Sequence, residues 1–478
     1  MRTAILILLL GHGTISCSSS ATAEAEASRD ITITRVSIQQ GVELALMKDG
    51  QEVLPSYAAP IAGRPGMVRV EFSPRFSGVH DVTAQLLLDH GGGMVATKEI
   101  VKQIDGSNSG QIVDFELAAS DLLADTKFRV RFAPRKGGAV TGDGAPAEYP
   151  AKTSQPVTFK LQRSGTLRIK LIPVRYDADG SGRIADSDET HVQALKKRFM
   201  DLFPVTGVDI AVGDPFPWNG KLSRNGDGHD DLLDGIMALR AQEHPEFDVY
   251  YLGLFATTAT YAEYCGRQCT TGLSVRVRNA SSAESRVSVA VGYADTRSMD
   301  TSLHEIGHAH GQQHSPCGVG DPDPSFPHDN AALGAEGYAA STKTFYNPAK
   351  TFDLMSYCDP TWVSDYTFGA FLNRVQEVTR AVAPQQRLAL GRPIRVLQVR
   401  ANGASKWGQN LTIGSMPKGE SITLTATAPD GKKTNLFGHK YPYVDRPGGT
   451  VWVASSDVAG KRVELDFDGA KIELDSEN

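Results

Sequence analysis

His304-Glu305-Ile306-Gly307-His308-Ala309-His310-Gly311-Gln312-Gln313-His314 is the stretch on which the reading of this 478-residue chain turns. On a helix, residues four apart project from one face, so His304 and His308 can grip a single ion. Glu305 then stands beside that ion, placed to take a proton from an attacking water. Gly311 can adopt the positive φ that ends a helix and turns the chain sharply. The turn would bring His314 round as a third nitrogen ligand. Three histidines with a fourth position left open describe a catalytic zinc site rather than a closed structural one. His310 lies six residues past His304, about 240° round the helix, and so faces away from the other two. It is expected to be a packed or polar neighbour, not a ligand.

Written as HExxHxxGxxH, these residues resemble the signature of the metzincin metallopeptidases. The resemblance implies a Met-containing turn beneath the metal, and Asp353-Leu354-Met355-Ser356-Tyr357 supplies it, with Met355 lying 41 residues after His314. It also implies that Tyr357, two residues after that Met, approaches the metal and stabilises the transition state. Trp362, Val363 and Tyr366 stand where the family forms a wall of the substrate pocket; packing for the last helix is the competing account. The strand preceding the one that leads into the motif helix would be the edge that pairs with extended substrate. The resemblance covers about 165–383, under half of the chain. His304-Glu305-Ile306-Gly307-His308 also looks like other bacterial HEIGH peptidases, so the subfamily stays open.

Around this centre the chain falls into three regions. Residues 30–162 alternate apolar and polar at period two, as in Ile31–Val36, Val68–Phe72 and Phe128–Phe132, with Gly/Pro/Asp clusters between the runs. That is the pattern of an antiparallel β-sandwich. Residues 390–478 repeat the style at Ser421–Thr425 and Val463–Phe467, predicting a second sandwich-like β-domain. Residues 163–385 differ. Val192, Leu195, Phe199 and Leu202 fall at helical spacing, and further helices are expected over 232–241, over 299–310 and from an N-cap near Ser364. Strands are expected at 167–174, 208–212, 249–255, 273–277 and 287–291. The fold class is therefore an α+β, metzincin-like unit flanked by two β-domains.

The N-terminus reads as an export signal. Arg2 precedes the apolar run Ala4–Leu10, and Thr14-Ile15-Ser16-Cys17 follows. This run is too short to span a membrane, and small residues before a cysteine mark a cleavage site. The tetrapeptide also looks like a loose bacterial lipobox, which would make 1–17 a signal, Cys17 a lipidation site and 18–29 a tether. Membrane attachment is expected only through that anchor. Excluding Cys17, four cysteines are left, and an even number in an exported chain suggests two disulfides. Cys265 and Cys269 are close in sequence, which leaves Cys317 with Cys358. A CxxxC zinc ribbon would need a second such pair. In a metzincin the segments holding Cys317 and Cys358 meet under the metal, in keeping with that pairing.

Composition narrows the partners. Lys+Arg 49 against Asp+Glu 55 gives a net charge of −6, with none of the basic footprint of a nucleic-acid binder. Asp177-Ala178-Asp179-Gly180-Ser181-Gly182 onward to Asp188 resembles an EF-hand loop, with Asp177, Asp179, Ser181 and Asp188 at calcium-ligating positions. Its position 12 is Asp rather than Glu and a strand precedes it, so a strand-to-helix turn accounts for it more cheaply. Asn225–Asp231 is read as a turn capping the next helix, and His328 as a solvent-exposed loop residue. The expected function is that of an exported, cell-surface or secreted zinc endopeptidase acting on proteins or glycoproteins. The rival is a surface adhesin or carbohydrate-binding lipoprotein with a vestigial peptidase domain.

Overall fold

A computed structural model describes residues 26–476, apart from 55–56, 94, 135–143, 156, 267, 382–391, 401 and 414–418. The expected signal segment and Cys17 lie outside the described residues. The protein is multidomain and rich in β-structure, with several sheets and one mixed α/β region.

The period-two runs of the N-terminal region form two antiparallel sheets. One carries Ile31–Gln39, Gly41–Lys48, Gly66–Pro74 and Gln111–Leu117; the other is built on Val79–Asp89, Val95–Asp105 and Lys127–Phe132. Phe72 of the first meets Phe132 of the second, ring centroids 4.5 Å apart, and both are fully buried. The first sheet also recruits Gly337–Ala339 and Thr344–Tyr346, which follow the histidine motif in sequence. Trp362 fastens this junction: its indole N–H donates to the Gly41 carbonyl (2.7 Å) and its ring stacks on Tyr346 at 4.0 Å.

The middle region is a mixed sheet with helices packed on it. Thr166–Tyr176 pairs in parallel with Gly207–Val212 on one side and Val249–Phe255 on the other; Val287–Val291 continues the parallel run. Gly272–Ser274 then closes the edge antiparallel to Val287–Val291. Helix Glu189–Leu202 buries Val192, Leu195, Phe199 and Leu202 as their spacing predicts, and Asp188 caps it by accepting from the His191 N–H. The last helix, Asp365–Ala381, starts where Ser364 Oγ accepts the Thr367 N–H at 3.0 Å. Helix His229–Glu243 follows Gly228, whose φ of +83° and contact with the Lys221 carbonyl leave no room for a Cβ.

The C-terminal region corrects the sandwich expectation. It is one seven-stranded antiparallel sheet, Ser405–Ile413 at one edge and Ala470–Asp475 at the other. The sheet curls until its edges meet, with the Trp407 indole N–H donating to the Asp475 carbonyl at 2.8 Å, so it is a near-barrel. Alternation reveals that one face is buried; it does not reveal whether that face is covered by a second sheet or by the same sheet closing on itself. This unit shares a buried apolar cluster with the middle region, Ile394, Val396, Leu411 and Ile413 among its members, and makes polar contacts to helix His229–Glu243: Arg400 bonds Asp231 (3.1 Å) and pairs with Asp230, while Gln398 bonds the Asp230 carbonyl and the Asp234 carboxyl.

Burial pushes Asp234 up to about 8, against the Gln398 hydrogen bond and helped by the charges of Asp231 and Asp230. Between its unfolded and folded values the native chain holds a proton that the unfolded chain has lost, so ionisation of Asp234 erodes stability as pH rises from about 4 to 8. Asp234→Asn should therefore flatten the decline between pH 5 and pH 7.5, by up to about 1.4 kcal/mol per pH unit. Denaturant unfolding of both chains at the two pH values measures it; parallel slopes would show that Asp234 ionises normally.

Candidate metal centre

The motif helix runs Thr296–Ala309, begun by Asp295, whose carboxylate accepts the N–H groups of Arg297 and Ser298. Gly311 follows at φ +92°, where a Cβ would lie 2.5 Å from Arg374 Nη2 and 2.8 Å from the Val277 carbonyl. Only glycine allows both the left-handed turn and the approach of these neighbours. The turn carries the chain back to His314.

His304, His308 and His314 come together with their ring nitrogens aimed at one region. The Nε2 atoms of His304 and His308 are 3.0 Å apart. His304 Nδ1 donates to the Leu354 carbonyl (2.8 Å) and His308 Nδ1 to the Gln312 carbonyl (2.9 Å), which fixes the tautomers and leaves each Nε2 with a free lone pair. Burial holds His308 down at about 4, so it is neutral at ordinary pH and able to ligate.

A fourth residue enters from far away in sequence. Asp445, in the C-terminal near-barrel, puts Oδ1 2.9 Å from His314 Nε2, 3.4 Å from His308 Nε2 and 3.6 Å from His304 Nε2. Ligand atoms of the four residues all lie within 4.8 Å of one another, the one such group of His, Cys, Asp or Glu among the described residues. Nothing in the sequence pointed to Asp445: Asp445-Arg446-Pro447-Gly448 reads as a turn between strands, and turn composition carries no signal of what the turn touches.

The donor set fits a metal ion. Three imidazoles and a carboxylate suit a tetrahedral ion of borderline softness. Glu305 adds a second observation. It is buried, its Oε2 has no hydrogen-bond partner, and burial together with the Asp445 charge pushes its carboxyl well above the usual carboxylate range. An orphaned buried carboxylate oxygen is costly, and a nearby cation or water would relieve it.

The surroundings hold this group firmly. Met355 lies directly beneath it, its Sδ 2.5 Å from where a Cβ on Gly307 would stand. Asp353, fully buried, ties three segments together. It accepts from Met355 N (2.9 Å), from Ser364 N (2.8 Å) and from the hydroxyl of Ser315, next to His314. Cys317 and Cys358 are disulfide-bonded, as are Cys265 and Cys269. Disulfides suit an oxidising compartment outside the cytoplasm, and no helix of the described residues is long and apolar enough to cross a membrane.

Other sequence-selected residues have definite places. Tyr357 Oη donates to Asp445 Oδ1 at 2.9 Å. Its ring sits against His314, centroids 4.8 Å apart. His310 is packed away from the cluster, stacked on Tyr250 at 4.6 Å, with Nδ1 donating to the Ile306 carbonyl. Trp362 is buried in the junction already described, and Tyr366 donates to Asp323 Oδ2 (2.9 Å); neither lines the cavity of about 420 Å³ beside the histidines. Arg276 and Arg278 do line it, with Tyr357 and Arg446. His328 is not free in solvent as expected. It bonds Asp365 Oδ1 at 2.6 Å, because the loop folds back on the start of the last helix. In the Asp/Gly-rich loop, Asp177 bonds Arg175, Asp179 accepts the Ser181 N–H and Asp188 caps a helix; these residues are not gathered round one point.

No known family profile matches the chain, and no curated protein matches it. Solved structures include a "putative beta-galactosidase" from Bacteroides fragilis, 11% identical, spanning 86% of this chain and 73% of that one at a TM-score of 0.15. A cycloisomaltooligosaccharide glucanotransferase from Paenibacillus sp. is 9% identical over 93% of this chain and 71% of its own, at 0.17. Neither likeness extends to a shared fold.

Because Gly307 leaves the space that Met355 fills, Gly307→Ala should overpack the floor of the site. The expected loss is about 1–3 kcal/mol of stability, read from the denaturant midpoint. An unchanged midpoint would mean that Met355 moves aside without cost.

Proposed function

We propose that the chain is an extracytoplasmic zinc-dependent endopeptidase, with His304, His308 and His314 as metal ligands and Glu305 as general base. The observation that carries this reading is the buried, unpartnered Glu305 oxygen beside three converging imidazoles. When bound, zinc supplies Lewis acidity, lowering the pKa of a water toward about 7 and polarising a peptide carbonyl. Glu305 takes the proton of the attacking water and delivers it to the leaving amine. The Tyr357 hydroxyl donates a hydrogen bond to the oxyanion that develops on the carbonyl. The resemblance to metzincins supports the same roles, with the domains at 30–162, 163–385 and 390–478, and with protein or glycoprotein as substrate. Arg276 and Arg278 beside the cavity would favour acidic substrate residues.

Asp445 favours a second reading, a non-catalytic surface protein with a closed structural metal site, since four protein ligands are what such sites have. That reading leaves Glu305 without a purpose, and a buried acid with an unmet oxygen is not retained for stability.

Glu305→Gln should abolish casein hydrolysis while leaving about one zinc per chain, because Glu305 is a base and not a ligand. His314→Ala should lose both metal and activity, and His310→Ala neither. Metal analysis alongside the assay separates the cases: zinc lost from the Glu305→Gln chain, or retained in the His314→Ala chain, would sink these assignments.

A further inference from the structure

Asp445 sits at the tip of a hairpin. Strands Lys433–Pro442 and Gly448–Ala454 pair antiparallel, Pro442 opposite Gly449, and the Tyr443 N–H closes the tip on the Gly448 carbonyl at 3.0 Å. Gly448 has φ +110°, and a Cβ there would meet the Val399 carbonyl at 2.3 Å, so the turn depends on glycine. The tip reaches out of the near-barrel and into the metal centre. Arg446 anchors it by donating to the Gly226 carbonyl, in the turn before helix His229–Glu243.

Two contacts define how the tip lies in the site. Tyr443 forms an antiparallel bridge with Val275, the residue just after edge strand Gly272–Ser274. Two residues on, the Asp445 carboxylate accepts from Tyr357 Oη at 2.9 Å, lies 2.9 Å from His314 Nε2 and is almost wholly buried. The chain meets the end of the sheet edge through this one bridge and then bends over 444–447, delivering one polar group to the reactive centre as a peptide bound by strand addition does. The hairpin tip therefore stands where a substrate chain would run, and Asp445 fills the position that attacking water and substrate carbonyl would need.

We propose that the 443–447 tip is an intramolecular pseudosubstrate, so that this fold is a latent form of the enzyme in which the C-terminal near-barrel occludes its own active site. The proposal rests on the peptidase reading of the site. Asp445 as a permanent structural ligand would explain the four-residue cluster; it would explain neither the orphaned Glu305 oxygen nor the cavity that the tip lines together with Arg276, Arg278 and Gln313. Tethering makes a modest ligand effective. At an effective concentration on the order of 1 mM, an intrinsic affinity of about 10 μM already leaves only about one site in a hundred open.

The test uses the full-length, zinc-loaded chain and its Asp445→Asn and Asp445→Ala variants, the first keeping the size of the side chain in case the second folds poorly. The probe is a peptidyl hydroxamate, its binding followed by calorimetry. Apparent affinity is reduced by the fraction of sites that are open, so both variants should bind the hydroxamate at least about tenfold more tightly than the parent chain. In the parent chain, saturating hydroxamate should speed amide hydrogen exchange at 443–446. Unchanged affinity in the variants, or exchange at the tip that does not respond, overturns the proposal. So does loss of zinc from Asp445→Asn, which would make Asp445 a ligand the metal requires. Casein hydrolysis keeps the two readings apart. Variants that gain hydroxamate affinity and hydrolyse nothing uphold the plug and refute the peptidase. Variants that hydrolyse casein like an active parent, with no gain in affinity, refute the plug alone.

Discussion

Two carboxylates and three imidazoles are buried against one another, and that arrangement is the constraint on which the rest depends. Glu305 and Asp445 cannot both ionise in a place with so little water to screen them, and burial with the Asp445 charge holds the Glu305 carboxyl well above the usual carboxylate range. His308 cannot balance that charge by protonating, since burial holds it down at about 4. The centre is thus short of positive charge and rich in lone pairs, which is the chemistry of a divalent-ion site. Everything that keeps it so has to be rigid, because five polar side chains left loose in a core would find water instead.

Rigidity comes from three sources that act on different segments. The motif helix fixes His304 and His308 through its own periodicity, and backbone carbonyls of Leu354 and Gln312 set their rings. Asp353 and the Cys317–Cys358 bond tie the loop after His314 to the Met355 turn. The mixed sheet supports the helix from the other side, where Ser288 Oγ donates to the Glu305 carbonyl at 3.0 Å. Each restraint is local, yet together they hold groups that span more than fifty residues.

The near-barrel adds a restraint of another kind. It docks through an apolar face as well as polar groups: Ile394, Val396, Leu411, Ile413 and Tyr443 join one buried cluster with Leu232, Leu233 and Ile236, and charged contacts around Asp230, Asp231 and Asp234 accompany it. A unit held in this way delivers Asp445 to the site.

The sequence determined by itself whatever depends on short separation. Spacings of four and three residues within 304–314 place two histidines on one helical face and a third beyond a glycine turn; Val192, Leu195, Phe199 and Leu202 likewise declare their buried face. Period-two alternation marked the β-regions at both ends of the chain. Tertiary structure alone decided what lies between distant segments. It closed the C-terminal sheet into a near-barrel, because alternation records burial and not what provides the cover. It added Gly337–Tyr346 to an N-terminal sheet and buried Trp362 there against Gly41, since strands of two or three residues carry too few positions to show a period. And it brought Asp445 to His314 across 131 residues. No local pattern encodes that meeting: the turn holding Asp445 is shaped by its own glycines and proline, while the place it reaches is set by how a separate unit docks.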